Sequence, residues 1–427
     1  MYKRNDLLHY VQVIYAFAIP LLLLAFFIEK PFVIGNIKAS SSALIAPLVA
    51  FLFLILVEKY PLWLPELCKT SLIVVITSYT FIKVFTHWPI AANSPIDDLT
   101  WTSVLHNITI ENILHLSMIL SLPIMYTKVW SSYTQHTLKN LFYTTIDTLL
   151  RSVLLYGILA YYKIQSNAKN QAYIALGNIF WWTLITPLLA LFTCLLWQYT
   201  KSEKVMHDHN KKINKQDALY GHLLSLFLAI LLLTNIVSVR YITIGPWIVT
   251  AGVLTYPFTF LFTDIISELY SRKQAQQVIH TGLVASLWIG VCIALLTLLI
   301  GHEAIDTAFS AFFTLTPGLI IGSMIAYTLS QWADVQLFHT LKHATNGRYL
   351  WLRNNIGTIV SQGIDTFTCG IVAWKIWPQL SANAPVGVAI WSQVVRNEYM
   401  CKIIIALLDT PLLYITLYFI RRLWQRK

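Results

Sequence analysis

Apolar residues along this 427-residue chain come in long runs separated by short polar breaks. Two of them, HLLSLFLAILLLTNIVSV (222–239) and VASLWIGVCIALLTLLIG (284–301), approach the roughly 20 residues that a helix needs to cross a bilayer. Neither shows the alternation over about ten residues that a transmembrane barrel strand requires. Breaking the pattern at charge and turn clusters predicts spans near 11–28, 41–57, 68–85, 111–127, 147–162, 172–199, 220–239, 244–264, 277–301, 316–337, 354–376 and 399–420. The expectation is an all-α, polytopic helical membrane protein with about twelve transmembrane helices in two halves of about six. The span at 244–264 holds Gly245, Pro246, Gly252 and Pro257, so a kink or break is expected within it.

Composition agrees: 57% of residues are hydrophobic and only 11% charged, which excludes an ordinary soluble domain. The net charge of +11 reports topology rather than a nucleic-acid partner. With the N-terminus inside, 21 of the 30 Lys and Arg fall in loops expected to be cytoplasmic, so both termini are read as cytoplasmic. Five scattered cysteines show no metal-ligand or disulfide spacing.

The polar stretch KSEKVMHDHNKKINKQDA (201–218) reads as a charged cytoplasmic linker. It separates an N-terminal multi-span membrane domain of unknown role (1–200) from a second multi-span domain (219–427). Equal halves fit a duplicated or inverted repeat, but no residue-level match between them stands out.

An ionisable side chain in hydrocarbon costs several kcal/mol unless paired or wet, which makes deep Asp, Glu and Arg the first functional candidates. Up to residue 200 the acids sit at span ends or in loops, whereas the second half carries Asp264, Glu268, Asp334, Asp365 and Asp409 in or just inside predicted spans. Asp264, Glu268 and Arg272 share one helical face, and Glu268 with Arg272 fits an ion-pair ladder at a helix end. Gln331 and Asp334 lie three apart with Trp332 and His339 nearby, a mixture suited to a heterocycle whose amino edge meets a carboxylate and whose face meets an aromatic ring. The same residues also fit a polar clamp between helices. LWLRNNIGTIVSQGIDTF (350–367) is the most polar membrane entry, placing Ser361, Gln362 and Asp365 on one face. His207-Asp208-His209 reads as a solvated loop, and no P-loop, GxSxG or HExxH motif occurs.

In that order, the segments TNIVSVRYITIG, TYPFTFLFTDIISELYSRK, SMIAYTLSQWADVQLFHTLK, LWLRNNIGTIVSQGIDTF and EYMCKIIIALLDTPLLY resemble the queuosine precursor transporter family, of vitamin uptake transporter type, over about residues 220–425. The resemblance implies a six-helix domain at 219–427 that imports 7-deazaguanine bases, such as the cyano and aminomethyl precursors or queuine, across a bacterial inner membrane for salvage into tRNA. It implies no enzyme activity, cofactor or metal, and as partners only a small-molecule substrate and the lipid bilayer. Carried over by position, the substrate-binding set is Asn235, Asp264, Glu268, Gln331, Asp334, Arg353, Asn354, Ser361, Gln362, Asp365 and Thr366. Residues 1–218 resemble nothing recognisable. Two other readings compete: a substrate-binding membrane subunit with a separate energising partner, and a membrane enzyme seated in the N-terminal half.

Overall fold

The computed structural model describes residues 2–27, 31–34, 37–59, 63–89, 157, 160–161, 173–181, 184–185, 214–238, 240–299, 316–376 and 388–425. Its N-terminal part begins with α1 (Tyr2–Phe27), a hairpin of β1 (Pro31–Ile34) and β2 (Ile37–Ser40), α2 (Ser41–Lys59) and α3 (Leu64–His87). A later series begins with α4 (Lys215–Val237), a hairpin of β3 (Tyr241–Ile244) and β4 (Trp247–Thr250), a 3-10 turn (Ala251–Leu254) and α5 (Pro257–Leu269). It continues through α6 (Arg272–Thr297), α7 (Thr316–Ala344), α8 (Leu350–Ile371), a π-helical turn (Val372–Ile376) and α9 (Val388–Gln425).

The chain forms two compact units. The described residues within 1–80, 102–225 and 291–310 make one, and those within 81–101, 226–290 and 311–427 the other. In the first, α1 packs on α2. The start of α4 also lies in this unit, where Tyr220 meets Gln12 and His222 bridges Glu66 at 2.8 Å and Thr70 at 3.0 Å. In the second, α7 pairs along α8, α8 along α9, and α5 touches α7 and α9.

This is a multi-pass helical membrane protein. Five helical segments among the described residues are long and apolar enough to cross a bilayer: Leu7–Ala25, Leu64–His87, Lys215–Val237, Arg272–Thr297 and Ser392–Arg422. The expected count of twelve is therefore not reproduced; the spans at 111–127 and 147–162 and most of 172–199 fall outside the described residues, as does the linker. α7 and α8 have the length to span but are diluted by Gln331, Asp334, Arg353, Asn354, Gln362 and Asp365. The single helix expected at 244–264 is corrected to a hairpin, a 3-10 turn and the first half of α5. Gly245 at φ +58 and Pro246 make the hairpin turn, and Pro257 opens α5, where its missing N–H costs nothing.

Close packing in the second unit depends on Gly282 of α6. A Cβ there would stand 2.4 Å from the Tyr327 hydroxyl and 2.9 Å from Leu231 and Phe227, while one at Gly290, two turns on, would meet nothing within 4 Å. Gly282→Ala is therefore expected to destabilise the folded protein by about 1–3 kcal/mol, and Gly290→Ala to be neutral or slightly stabilising. Thermal unfolding of the two purified variants measures the difference; equal melting would refute the close approach.

Candidate functional site

Helical spacing builds the site from α8. Arg353, Asn354, Thr358, Ser361, Gln362, Asp365 and Thr366 are all buried, and steps of three and four keep them on one face. α7 brings Ser330, Gln331 and Asp334 to meet them, α9 brings Lys402 and Asp409, and the entry to α5 brings Tyr256, Thr259 and Asp264. These side chains sort into three groups.

The first surrounds a cavity. The Lys402 ammonium donates to Asp365 Oδ2 at 2.8 Å and to Thr366 Oγ1 at 3.0 Å, and it sits 4.9 Å from the centre of the Tyr256 ring. Tyr256 donates its hydroxyl to Asp365 Oδ1 at 2.7 Å, and Ser330 Oγ lies 3.4 Å from the same oxygen. Asn235, Thr250, Tyr256, Asp365, Thr366, Glu398 and Lys402 line the cavity together with Leu231, Val253, Met324 and Tyr327. Few polar groups converging on an apolar wall is the usual composition of a small-molecule site.

The second group is a cluster of carboxyls and amides. Asp264 stands against Asp334 and within electrostatic reach of Asp409. Ser361 donates to Asp334 Oδ1 at 3.1 Å, Asn354 Nδ2 to Asp409 Oδ1 at 3.3 Å, and Gln331 Nε2 to Thr259 at 3.3 Å. A Cβ on Gly357 would lie 3.1 Å from Asp334 Oδ1, so glycine lets α8 approach this carboxyl. Asp334 Oδ2, Asp409 Oδ2, Gln331 Oε1, Asn354 Oδ1 and both amide atoms of Gln362 have no hydrogen-bond partner among the described residues. Buried polar atoms in that state are rare in folded proteins.

The third group is saturated. Glu268 accepts from Lys342 at 2.9 Å, Arg353 at 2.7 Å and Arg421 at 2.8 Å, fastening α5, α7, α8 and α9 together. Arg353 also caps the α7–α8 turn through the Gly347 carbonyl at 2.9 Å and stacks 5.1 Å over Phe338.

Of the residues expected to bind substrate, Asn235, Asp365 and Thr366 line the cavity. Asp264, Gln331, Asp334, Asn354, Ser361 and Gln362 are buried on the faces that bring the carboxyls and amides together, whereas Glu268 and Arg353 are spent on each other. The expected ladder from Glu268 to Arg272 is corrected: Arg272 is exposed and three other cations take its place. Trp332 is 58% exposed, whereas Asp334 is 1% exposed, so the two do not share a buried face. Lys402, expected in an outside loop, is 5% exposed within α9. Sequence reasoning left Tyr256, Thr250, Ser330, Glu398, Lys402 and Asp409 out of the site. One signal was available: a lysine in the apolar run MCKIIIALL calls for a buried acid, and Asp365 is one.

Comparison with known proteins falls on this region. Residues 250–416 match the family described as "Putative vitamin uptake transporter". The C-terminal half of the chain is similar to this family. The "Probable queuosine precursor transporter" of Bacillus subtilis (strain 168) is 27% identical over 184 residues, which are 42% of this chain and 76% of that protein. The "Queuosine precursor transporter" of Escherichia coli (strain K12) is 24% identical over 159 residues, 37% of this chain and 67% of that protein. No solved structure matches. All three matches are to transporters, which weighs against a membrane enzyme, and the matched family segment contains the Lys402–Asp365 pair, the aspartate cluster and Glu268.

Two variants separate these groups. Asp334→Asn is expected to reduce transport per inserted molecule at least tenfold with little loss of stability. Glu268→Gln is expected instead to lower the unfolding midpoint, since hydrogen bonds to a charged group contribute about 1.5–3 kcal/mol each. Transport normalised to membrane protein, alongside thermal unfolding, reads both; matching profiles would refute the division.

Lys402→Met strands the buried Asp365 carboxylate and is expected to destabilise by roughly 3–5 kcal/mol. Adding Asp365→Asn should restore part of that stability without restoring transport. Recovery of transport in the double variant would remove this pair from the site.

Proposed function

We propose that this chain imports queuosine precursors, 7-deazaguanine bases such as the cyano and aminomethyl precursors or queuine, for salvage into tRNA. The observation that carries the reading is the cavity lined by Lys402, Asp365 and Tyr256, three residues of the segment shared with transporters. A deazaguanine presents a ring N–H and an exocyclic amino group on one edge beside a carbonyl oxygen. Carboxylates such as Glu398 accept from the first two, Lys402 donates to the third, and the Tyr256 ring offers an aromatic surface. The unpartnered oxygens of the aspartate and amide cluster supply a second set of acceptors along the same helices.

The domain of import is residues 219–427, and its setting is a bacterial inner membrane with both chain ends cytoplasmic, an orientation that the distribution of Lys and Arg supports. The base and the bilayer are its partners.

The decisive experiment uses cells that lack both queuosine synthesis and their own importer. Expression of the full chain is expected to restore queuosine in tRNA when a precursor is supplied, and no rescue by well-inserted protein would refute the reading. Uptake by the purified chain in liposomes should follow. A requirement for an added ATPase partner there would turn the chain into the binding subunit of a multi-component system.

A further inference from the structure

The two series of elements are in register with one another. Adding 210 to the residue numbers carries Pro31–Ile34 onto Tyr241–Ile244 and Ile37–Ser40 onto Trp247–Thr250. The same step carries the last residue of α3, His87, onto that of α6, Thr297. Both hairpins and this helix end therefore coincide with no insertion or deletion. At this offset Gly35 meets Gly245, Leu44 meets Leu254, Pro47 meets Pro257, Ile55 meets Ile265, Glu58 meets Glu268 and Tyr60 meets Tyr270.

Tertiary contacts repeat too. In the first series the amide of Ser40 donates to Asn178 Oδ1 at 2.9 Å, and Gly177 lies against the carbonyl of Lys38. In the second the amide of Thr250, which is Ser40 plus 210, donates to Glu398 Oε1 at 3.2 Å, and Asn397 donates to the carbonyl of Ile248, which is Lys38 plus 210, at 3.4 Å. In each case one residue of a later helix accepts from the same strand amide, and the residue before it lies against the carbonyl two positions earlier. Hairpins of four-residue strands are common, but two hairpins at one offset, each followed by such a contact, are not expected of unrelated segments.

What differs is the chemistry. Asn235, Tyr256, Thr259 and Asp264 correspond to Ala25, Ala46, Val49 and Leu54, and the step from Asn178 to Glu398 takes Lys402 onto Trp182. Glu268, which fastens helices, keeps its counterpart Glu58.

We infer that the N-terminal half is a second copy of the C-terminal transport domain, in the same membrane orientation, which has lost the side chains of the site, so that each chain carries two domains and one binding site. An unrecognised domain becomes a silent partner of the transporting one. Its length agrees: the 184 residues matched in the Bacillus protein are 76% of that protein, which leaves room there for one such domain and not two.

Orientation is tested without any substrate. Single cysteines at Asn36 and Pro246, in the hairpin turns, and at Pro61 and Ser271, after α2 and α5, are introduced into the full chain and treated with a membrane-impermeant maleimide on each side of the membrane. The unsubstituted chain gives the background. Both members of each pair should label from one side, and the hairpin pair from the opposite side to the other pair. Labelling of paired positions from opposite sides would overturn the parallel duplication.

The silent-copy part rests on the proposed function and is read by equilibrium dialysis of radiolabelled 7-cyano-7-deazaguanine against purified full-length protein. One molecule should bind per chain. Tyr256→Ala and Asp264→Leu, which install the residues of the first copy in the second, should each weaken binding at least tenfold, and Leu54→Ala should change it less than twofold. Two molecules per chain, or a tenfold loss from Leu54→Ala, would overturn the single site. No binding by folded protein would overturn both the substrate and the single site, and the labelling result would still decide the duplication.

Discussion

A buried ammonium facing a buried carboxylate governs the arrangement of the second unit. Removing either charge from water costs several kcal/mol, and the pair is tolerable only where hydrogen bonds complete both shells. Lys402 and Asp365 meet that condition because Thr366, Tyr256 and Ser330 converge on them from α8, the entry to α5, and α7. Three helices and the entry to α5 thus meet at one ion pair. The pair lines a cavity.

The remaining polar groups divide by whether their bonding capacity is filled. Glu268 spends both oxygens on three cations, one of them the fully buried Arg353, and has nothing left to offer a ligand. The carboxyls of Asp334 and Asp409 and the amides of Gln331, Asn354 and Gln362 keep unused atoms in the protein interior. Stability favours the first arrangement and opposes the second, so the second is the one that a function must sustain. It also explains why Asp264, one turn from Glu268 on the same helix, belongs to different chemistry: that turn separates a saturated helix end from the interior.

The class of fold was legible in hydropathy, and the buried carboxyls of the candidate site were legible in the cost of charge within apolar runs. Asp334 and Asp365 were singled out that way because one residue type at one depth carries the argument, and Ser361 by its helical spacing from Asp365. Lys402 was not, since a lysine four residues into an apolar run reads equally well as an interfacial anchor until its partner's position is known. Trp332 shows the converse error: adjacency in sequence to Asp334 says nothing of direction, and neighbours two apart on a helix face apart. The 244–264 segment reads as one apolar span because strands of four residues and a short helix sum to the same hydropathy as a continuous helix. Its glycines and prolines marked the break without saying what would replace it.

The relation between the halves escaped sequence reading for a physical reason. Membrane helices are selected on apolarity, which Leu, Ile, Val and Phe satisfy alike, so two copies lose identity quickly while keeping length, breaks and helix ends. What persists is punctuation: the glycine of the hairpin turn, the proline near the helix start and the glutamate near its end. The hydropathy pattern predicts about six spans per half, an even number, and with it a tandem copy would re-enter the membrane in the original sense and need no inversion. Loss of the site is energetically downhill once a copy is relieved of transport. Replacing an aspartate such as Asp264 by the leucine found at Leu54 removes a charge that costs about 2.5–3.5 kcal/mol at the centre of a membrane helix. A copy without transport to perform drifts toward the composition of residues 1–60, while the copy that keeps its aspartates must be held there by their use.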